Sequence, residues 1–208
     1  MTSEHYFSAI PASPDERRRI DVSLRGHRVE VETAPGTFSS ERLDQGTRVL
    51  LDLAPAPPPE GAALDLGCGW GPIALALALE SPGLDVWAVD VNERALDLAT
   101  ANAARTGATG IRASLPDAVP TDVTFNVIWS NPPIRVGKPV LHGLMRTWLP
   151  RLAPGGEAYL VVQKHLGADS LQRWLADEFD HSGESPGLDV SRYDSAKNFR
   201  ILRVARPM

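Results

Sequence analysis

The chain has 208 residues, 43% of them hydrophobic and 23% charged, with a formal net charge of −5. That composition suits one globular domain with a full-sized core, and the negative balance excludes a protein that coats nucleic acid by charge alone. No apolar run approaches the roughly 18 residues of a membrane span, Met1 to Pro14 lacks the apolar stretch of a secretory signal, and the lone cysteine, Cys68, excludes an internal disulfide. The expected setting is therefore the cytoplasm, and with no Cys/His cluster at ligand spacing no metal is expected.

Ile20, Val22 and Leu24 alternate with polar residues, Arg25-Gly26-His27 breaks the run, and Val29 and Val31 resume it, which predicts two short strands about a turn. A loop follows over 34–39, then a helical pattern over 43–53 carrying Val49, Leu50 and Leu53. The proline-rich stretch 54–61 suits neither a helix nor a central strand and predicts a stiff connector. Residues 1–61 thus form an N-terminal appendage and 62–208 the main domain. From Ala62 the pattern alternates, with strands over 62–66, 84–90, 109–113, 125–130 and 158–163 and helices over 73–80, 91–105, 138–152 and 168–179. Val190–Tyr193 and Phe199–Val204 close the chain as strands with no helix between them. Repeated strand–helix units predict a doubly wound α/β domain with a mostly parallel sheet, ended by an antiparallel hairpin.

Gly67-Cys68-Gly69-Trp70-Gly71 stands where the first of these strands turns into its helix. Glycines there permit a tight turn and a close ligand, and the amides at a helix start are expected to be free for polar ligand atoms. The dinucleotide fingerprint needs a third glycine where Pro72 stands, so the spacing departs from nicotinamide enzymes. Asp90 ends the second strand of the main domain, where a carboxylate accepts hydrogen bonds from both ribose hydroxyls of an adenosine. Its plainer role is a helix cap, a post that Asn92 can fill itself. Val91 offers an apolar face to an adenine.

The fourth strand runs into Asn131-Pro132-Pro133-Ile134, a rigid elbow at the carboxyl edge of the sheet. An amino nitrogen conjugated to a base or a carbonyl is a poor nucleophile. Two acceptors, the Asn131 side-chain oxygen and the Pro132 carbonyl, suit its N–H groups and would aim its lone pair at an electrophilic carbon.

The glycine turn, the Asp-ended strand and the Asn-Pro-Pro elbow together resemble class I S-adenosylmethionine-dependent methyltransferases that act on amino groups. The longer string Asn131 to Lys138, with Pro35-Gly36-Thr37-Phe38-Ser39, Leu43-Asp44-Gln45-Gly46-Thr47 and His5-Tyr6-Phe7-Ser8, is similar to the methyltransferase small domain family, typified by ribosomal small-subunit RNA guanine-N2 methyltransferases. The resemblance implies S-adenosyl-L-methionine as cofactor. It implies contacts from Gly67, Cys68, Gly69, Gly71, Asp90, Val91, Asn92 and Asn131, with Asp65 at the amino end of the methionine. Phe38, Gly46 and Thr47 line the cofactor in that family. Two departures stand out. Ile134 replaces an aromatic, which leaves Phe38 as the candidate ring for the substrate. The acid that usually meets the adenine is replaced by Ser114-Leu115-Pro116-Asp117, so Ser114 and Leu115 are expected to contact the adenine by backbone.

Of three basic groups, Arg17–Arg19, Arg135 with Lys138, and Lys197 with Arg200, Arg203 and Arg206, the second stands beside the elbow and is expected to meet RNA phosphate; each alone is as readily solvated surface. The leading expectation is a monomeric RNA guanine-N2 methyltransferase acting on ribosomal RNA or a small-subunit particle. Transfer to a protein glutamine amide, a nicotinamide oxidoreductase and an inactive ribosome-assembly factor are the alternatives.

Overall fold

A computed structural model describes residues 16–180 and 187–208; the His5-Tyr6-Phe7-Ser8 string lies outside the described residues. Strands β1 (Arg18–Leu24) and β2 (His27–Thr33) pair antiparallel as a hairpin. Helix α1 (Gln45–Leu53) follows, then β3 (Glu60–Leu66), α2 (Pro72–Glu80), β4 (Gly83–Val89), α3 (Glu93–Thr106), β5 (Ile111–Ser114), β6 (Phe125–Ser130), α4 (Lys138–Trp148), β7 (Leu152–Gln163), α5 (Ala168–Glu178), β8 (Asp189–Ala196) and β9 (Phe199–Ala205). The seven-stranded sheet runs β5-β4-β3-β6-β7-β9-β8, with β9 alone antiparallel to its neighbours β7 and β8.

Side chains alternate across a strand, so neighbouring apolar residues feed opposite faces. Ala63, Val86, Val127, Trp129 and Val161 face the layer of α1, α2 and α3, while Leu64, Ile128, Leu160 and Val162 face α4 and α5. Helix α2 is apolar on every side and buried from Pro72 to Ala78, so it needs cover on every side. The N-terminal segment supplies part of it: Leu24 and Val31 of the hairpin and Val49 and Leu50 of α1 join the same core. Arg25 fastens this layer. Its guanidinium donates to the α1 carbonyl of Leu51 at 2.6 Å and to Ala54 O at 2.9 Å, pairs with Glu80 of α2, and lies over the Trp129 ring.

The largest differences between the sequence expectations and the structure in the main domain fall at two places. The fourth helix stops at Trp148 and gives way to a short 3-10 turn over Leu149–Arg151, where Pro150 supplies no amide to continue an α-helix. The strand expected over 158–163 begins at Leu152, so Pro154-Gly155-Gly156 lies inside β7. There β6 and β7 shift register, and a Cβ on Gly156 would lie 2.7 Å from Phe125 O, so the glycine is what lets the strands approach.

The strand order reverses between β3 and β6, which opens a crevice at their carboxyl ends. Register sets its floor. Leu66 pairs with Val89 and with Ser130, and Val89 pairs with Ser114. Residues 67, 90, 115 and 131 therefore leave four adjacent strands at one level, and Ser130 Oγ donates to Leu66 O at 2.6 Å across the reversal. Among the described residues no helix is long and apolar enough to cross a membrane, and no group of His, Cys, Asp or Glu could hold a metal ion.

Candidate active site

The glycine turn differs from the expectation in one respect. Gly67 and Cys68 amides donate to Val89 O at 2.8 and 3.0 Å, Gly69 N donates to Asp90 Oδ2 at 2.9 Å, and Gly71 N donates to Cys68 O at 2.9 Å. These four amides, and Ala74 N at the start of α2, are held by the protein, which makes the turn a poor cradle for a phosphate. Gly67 has φ +80°, a left-handed conformation that favours glycine, and a Cβ there would meet open space above the strand ends. A phosphate-free adenosine suits this floor, and a dinucleotide does not. The Cys68 thiol is buried, and burial pushes its pKa well up.

Two carboxylates flank the turn. Asp65 is fully buried; its Oδ2 accepts from Ala74 N at 2.9 Å, and its Oδ1 has no partner. Burial pushes its pKa up to about 8, against the hydrogen bond from Ala74 and with a smaller push from Asp90. An orphaned buried oxygen is costly unless a donor meets it. A ligand ammonium supplies a charged donor, which is the fit expected of a methionine amino group.

Asp90 is held firmly. Oδ1 accepts from Asn92 N and Oδ2 from Gly69 N, each at 2.9 Å. Burial raises its pKa, while the amides of Asn92, Gly69 and Val91 lower it. Each oxygen keeps a lone pair for a further donor such as a ribose hydroxyl. The cap of α3 is Asn92, whose Oδ1 accepts from Arg94 N and Ala95 N. Its Nδ2 donates to Gly36 O at 2.8 Å, and Arg94 Nη1 donates to Pro35 O at 2.7 Å. The Asn92 side chain, expected at the cofactor, thus ties the 34–39 loop to α3. The Val91 and Leu115 side chains are large apolar groups left 42% and 39% exposed at adjacent strand ends, so each can offer an adenine an apolar surface. Ser114 Oγ donates to Leu115 O, and Asp117 stands exposed in the 3-10 turn Pro116–Ala118.

Beside this floor, Asn131 leaves β6 half-buried. Its Nδ2 donates to Asp44 Oδ2 at 2.8 Å and to Thr47 Oγ1 at 3.1 Å, so its Oδ1 is the end left to act as an acceptor. The Pro132 carbonyl accepts from Ile134 N at 2.9 Å in a tight turn at Pro133 and retains one lone pair. Ile134 packs on the α4 side. Gly46 and Thr47 lie against the Asn131 amide.

Phe38, the candidate substrate ring, instead lies against the glycine turn, its Cβ 3.7 Å from where a Cβ on Gly69 would stand. The ring beside the elbow belongs to Phe199 of β9, whose Cε1 would lie 3.0 Å from a Gly46 Cβ that is itself 3.3 Å from Asn131 Nδ2. Two site residues were thus absent from the sequence candidates. Asp44 carried a usable signal, an Asp three residues before Thr47 at a helix start, whereas Phe199 carried none, because only the antiparallel return of β9 brings it there.

Most members of the first and third basic groups are engaged, Arg18 and Lys197 being exposed exceptions with no ion pair among the described residues. Arg17 and Arg19 pair with Glu30 and Glu32, Arg200 with Asp169 and Arg203 with Glu157, and Arg206 donates to Leu152 O. Arg135 and Lys138 are exposed and make no ion pair among the described residues.

A cleft that takes a cationic, phosphate-free adenosine next to acceptors for an amino group serves the chemistry of the class I S-adenosylmethionine-dependent methyltransferases. The chain matches the methyltransferase small domain family model over residues 28–185 and belongs to that family. It is 34% identical to the uncharacterized protein YbxB of Bacillus subtilis across 98% of this chain and 99% of that one. It is also 34% identical to ribosomal RNA small subunit methyltransferase C of Shewanella amazonensis, across 75% of this chain and 46% of the relative. Among solved structures, the Thermus thermophilus 16S rRNA N2 G1207 methyltransferase, in complex with AdoMet and guanosine, superposes with a TM-score of 0.75 at 22% identity. That match covers 94% of this chain and 52% of that one, so the chain spans about half the length of these RNA methyltransferases.

Proposed function

We propose that the chain methylates the exocyclic N2 of guanine in small-subunit ribosomal RNA. The observation that carries the reading is the Asn131 amide, whose nitrogen is bonded within the protein so that its oxygen serves as the acceptor. The named RNA methyltransferase relatives support the base and the RNA class. The unpaired Arg135 and Lys138 beside the elbow support a phosphate-bearing substrate.

S-adenosylmethionine, when bound, supplies an electrophilic methyl group on a sulfonium sulfur. The rest is positioning by this chain. Asp65 Oδ1 takes the methionine ammonium, Asp90 the ribose hydroxyls, and Val91 and Leu115 flank the adenine. Phe38, Gly67, Cys68, Gly69 and Gly71 form the wall and floor around the bound cofactor. The N2 lone pair of guanine is delocalised into the ring. Asn131 Oδ1 and the remaining lone pair of the Pro132 carbonyl accept its two N–H groups, turn the lone pair out of conjugation and stabilise the positive charge that develops on nitrogen, which is discharged when one N2 proton passes to solvent. Ile134 and the Phe199 ring offer apolar surface to a base taken out of its stack.

The test is transfer of isotope-labelled methyl groups to unmodified small-subunit ribosomal RNA, followed by nucleoside mass spectrometry. N2-methylguanosine is expected. Label in protein glutamine, or in a different nucleoside, would overturn the substrate.

A further inference from the structure

Asn131 is an ambiguous group until something orients it. Its amide has an acceptor end and a donor end of nearly the same shape. With the oxygen toward a substrate amino group it accepts an N–H; with the nitrogen there, donors face donors and the substrate is repelled.

We infer that Asp44 and Thr47, at the start of α1, are positioning residues that fix the Asn131 amide in its accepting orientation and polarise it, an inference that rests on the methyl-transfer reading above. Asp44 Oδ2 accepts from Asn131 Nδ2 at 2.8 Å and from Thr47 N at 3.0 Å, and Thr47 Oγ1 accepts from Asn131 Nδ2 at 3.1 Å. A carboxylate has no proton to give. Reversing the amide would set its oxygen against the Asp44 oxygen with no hydrogen between them. Thr47, on the other side of the amide, is buried at 3% exposed, so no water approaches from there.

The same bond acts on the acceptor. Charge-assisted hydrogen bonds are strong, and bonds in series polarise one another. Electron density drawn from Nδ2 toward Oδ1 makes the oxygen a better acceptor as positive charge grows on the substrate nitrogen. Gly46 makes the approach possible: a Cβ there would stand 3.0 Å from Asp44 Oδ2 and 3.3 Å from Asn131 Nδ2. The Asp-x-Gly-Thr segment of α1 thus serves the amide of an elbow that follows β6.

A purely structural role for Asp44 is available, because it also caps α1. Serine caps helices about as well as aspartate, yet its side chain is too short to hold Asn131. Asp44→Ser should leave thermal stability, cofactor affinity and KM for unmodified small-subunit ribosomal RNA near the parent values and lower kcat roughly 10–100-fold, the scale of a displaced catalytic group. Asp44→Asn, which retains both reach and cap, should recover most of that loss. In an Asn131→Ala background, Asp44→Ser should add less than about twofold, since its effect passes through the missing amide. An equal loss in both backgrounds, or a fall in kcat that follows the melting temperature, would overturn the inference. A second arm uses no RNA: in the 15N-labelled protein the Asn131 side-chain NH2 protons should be protected from exchange, and Asp44→Ser should remove the protection. Should the parent fail to methylate the RNA, the substrate reading falls, and this arm decides the orientation by itself. Unprotected Asn131 protons in the parent would overturn it.

Discussion

Ala74 N donates to one oxygen of Asp65 at 2.9 Å, and the other oxygen of that carboxyl is buried with no partner. The first turn of α2 thereby holds the group in place without satisfying it, and the proposed function sets a cofactor ammonium against the unpartnered oxygen.

A proton should move when the cofactor binds. Burial raises the Asp65 pKa from an ordinary 3.8 to about 8. Across that window the folded protein keeps a proton that the unfolded chain has lost, so the contribution of Asp65 to stability is full at the acid end and falls as pH rises. An ammonium against Oδ1 favours the charged form and expels the proton. Calorimetry at pH 7 in two buffers of different ionisation heat should read release of up to about one proton, with affinity rising as pH approaches 8. Asp65→Asn should abolish the buffer dependence. Identical heats in both buffers with the parent protein would contradict the assignment.

Asn131→Ala should leave cofactor affinity nearly intact and lower kcat by about two to three orders of magnitude, the loss associated with one preorganised partner of a developing charge. Isothermal calorimetry and single-turnover methylation of unmodified small-subunit RNA separate the two quantities. A parallel loss of cofactor binding would mean that Asn131 shapes the pocket only.

Asp90→Ala should weaken cofactor binding by about 1.5–3 kcal/mol, the range for hydrogen bonds to a charged group. Some thermal stability should go with it, because Gly69 N and Asn92 N both lose their acceptor. Saturating cofactor should raise the melting temperature less for the variant than for the parent. Unchanged affinity beside a collapsed melting temperature would assign Asp90 to the fold alone.

Arg135→Ala with Lys138→Ala should lower RNA affinity and reduce the slope of log affinity against log salt by about 0.7 for each single-strand phosphate that is no longer neutralised. Cofactor binding should not change. Equal slopes for variant and parent would send the RNA elsewhere, although Arg17 and Arg19 are already engaged by Glu30 and Glu32.

The glycine turn and the elbow were legible in the sequence because each is a local signal, with its residues contiguous and at a strand end. The strand–helix alternation revealed the sheet for the same reason, and the antiparallel end followed from the missing helix between β8 and β9. What escaped depends on long-range proximity. Asp44 and Asn131 lie 87 positions apart, so no local pattern joins them. The occupied amides of the turn were hidden because their acceptors, Val89 O and Asp90, belong to a neighbouring strand and the turn that follows it. Charge clusters read alike in a sequence; only the Glu and Asp residues facing them in the folded chain distinguish Arg19 from Arg135.

The occupied turn also bears on which metabolites the protein meets and refuses. ATP and NAD share an adenosine with the cofactor, so the adenine and ribose contacts cannot tell them apart. Discrimination falls to the group on the 5′ carbon. A phosphate there would give up its water for amides already committed to Val89, Asp90 and Cys68. A cationic methionine chain needs none of those amides. Selectivity is then exercised as rejection, by what the pocket withholds from an anion, and the protein stays receptive to its own cofactor among far commoner nucleotides.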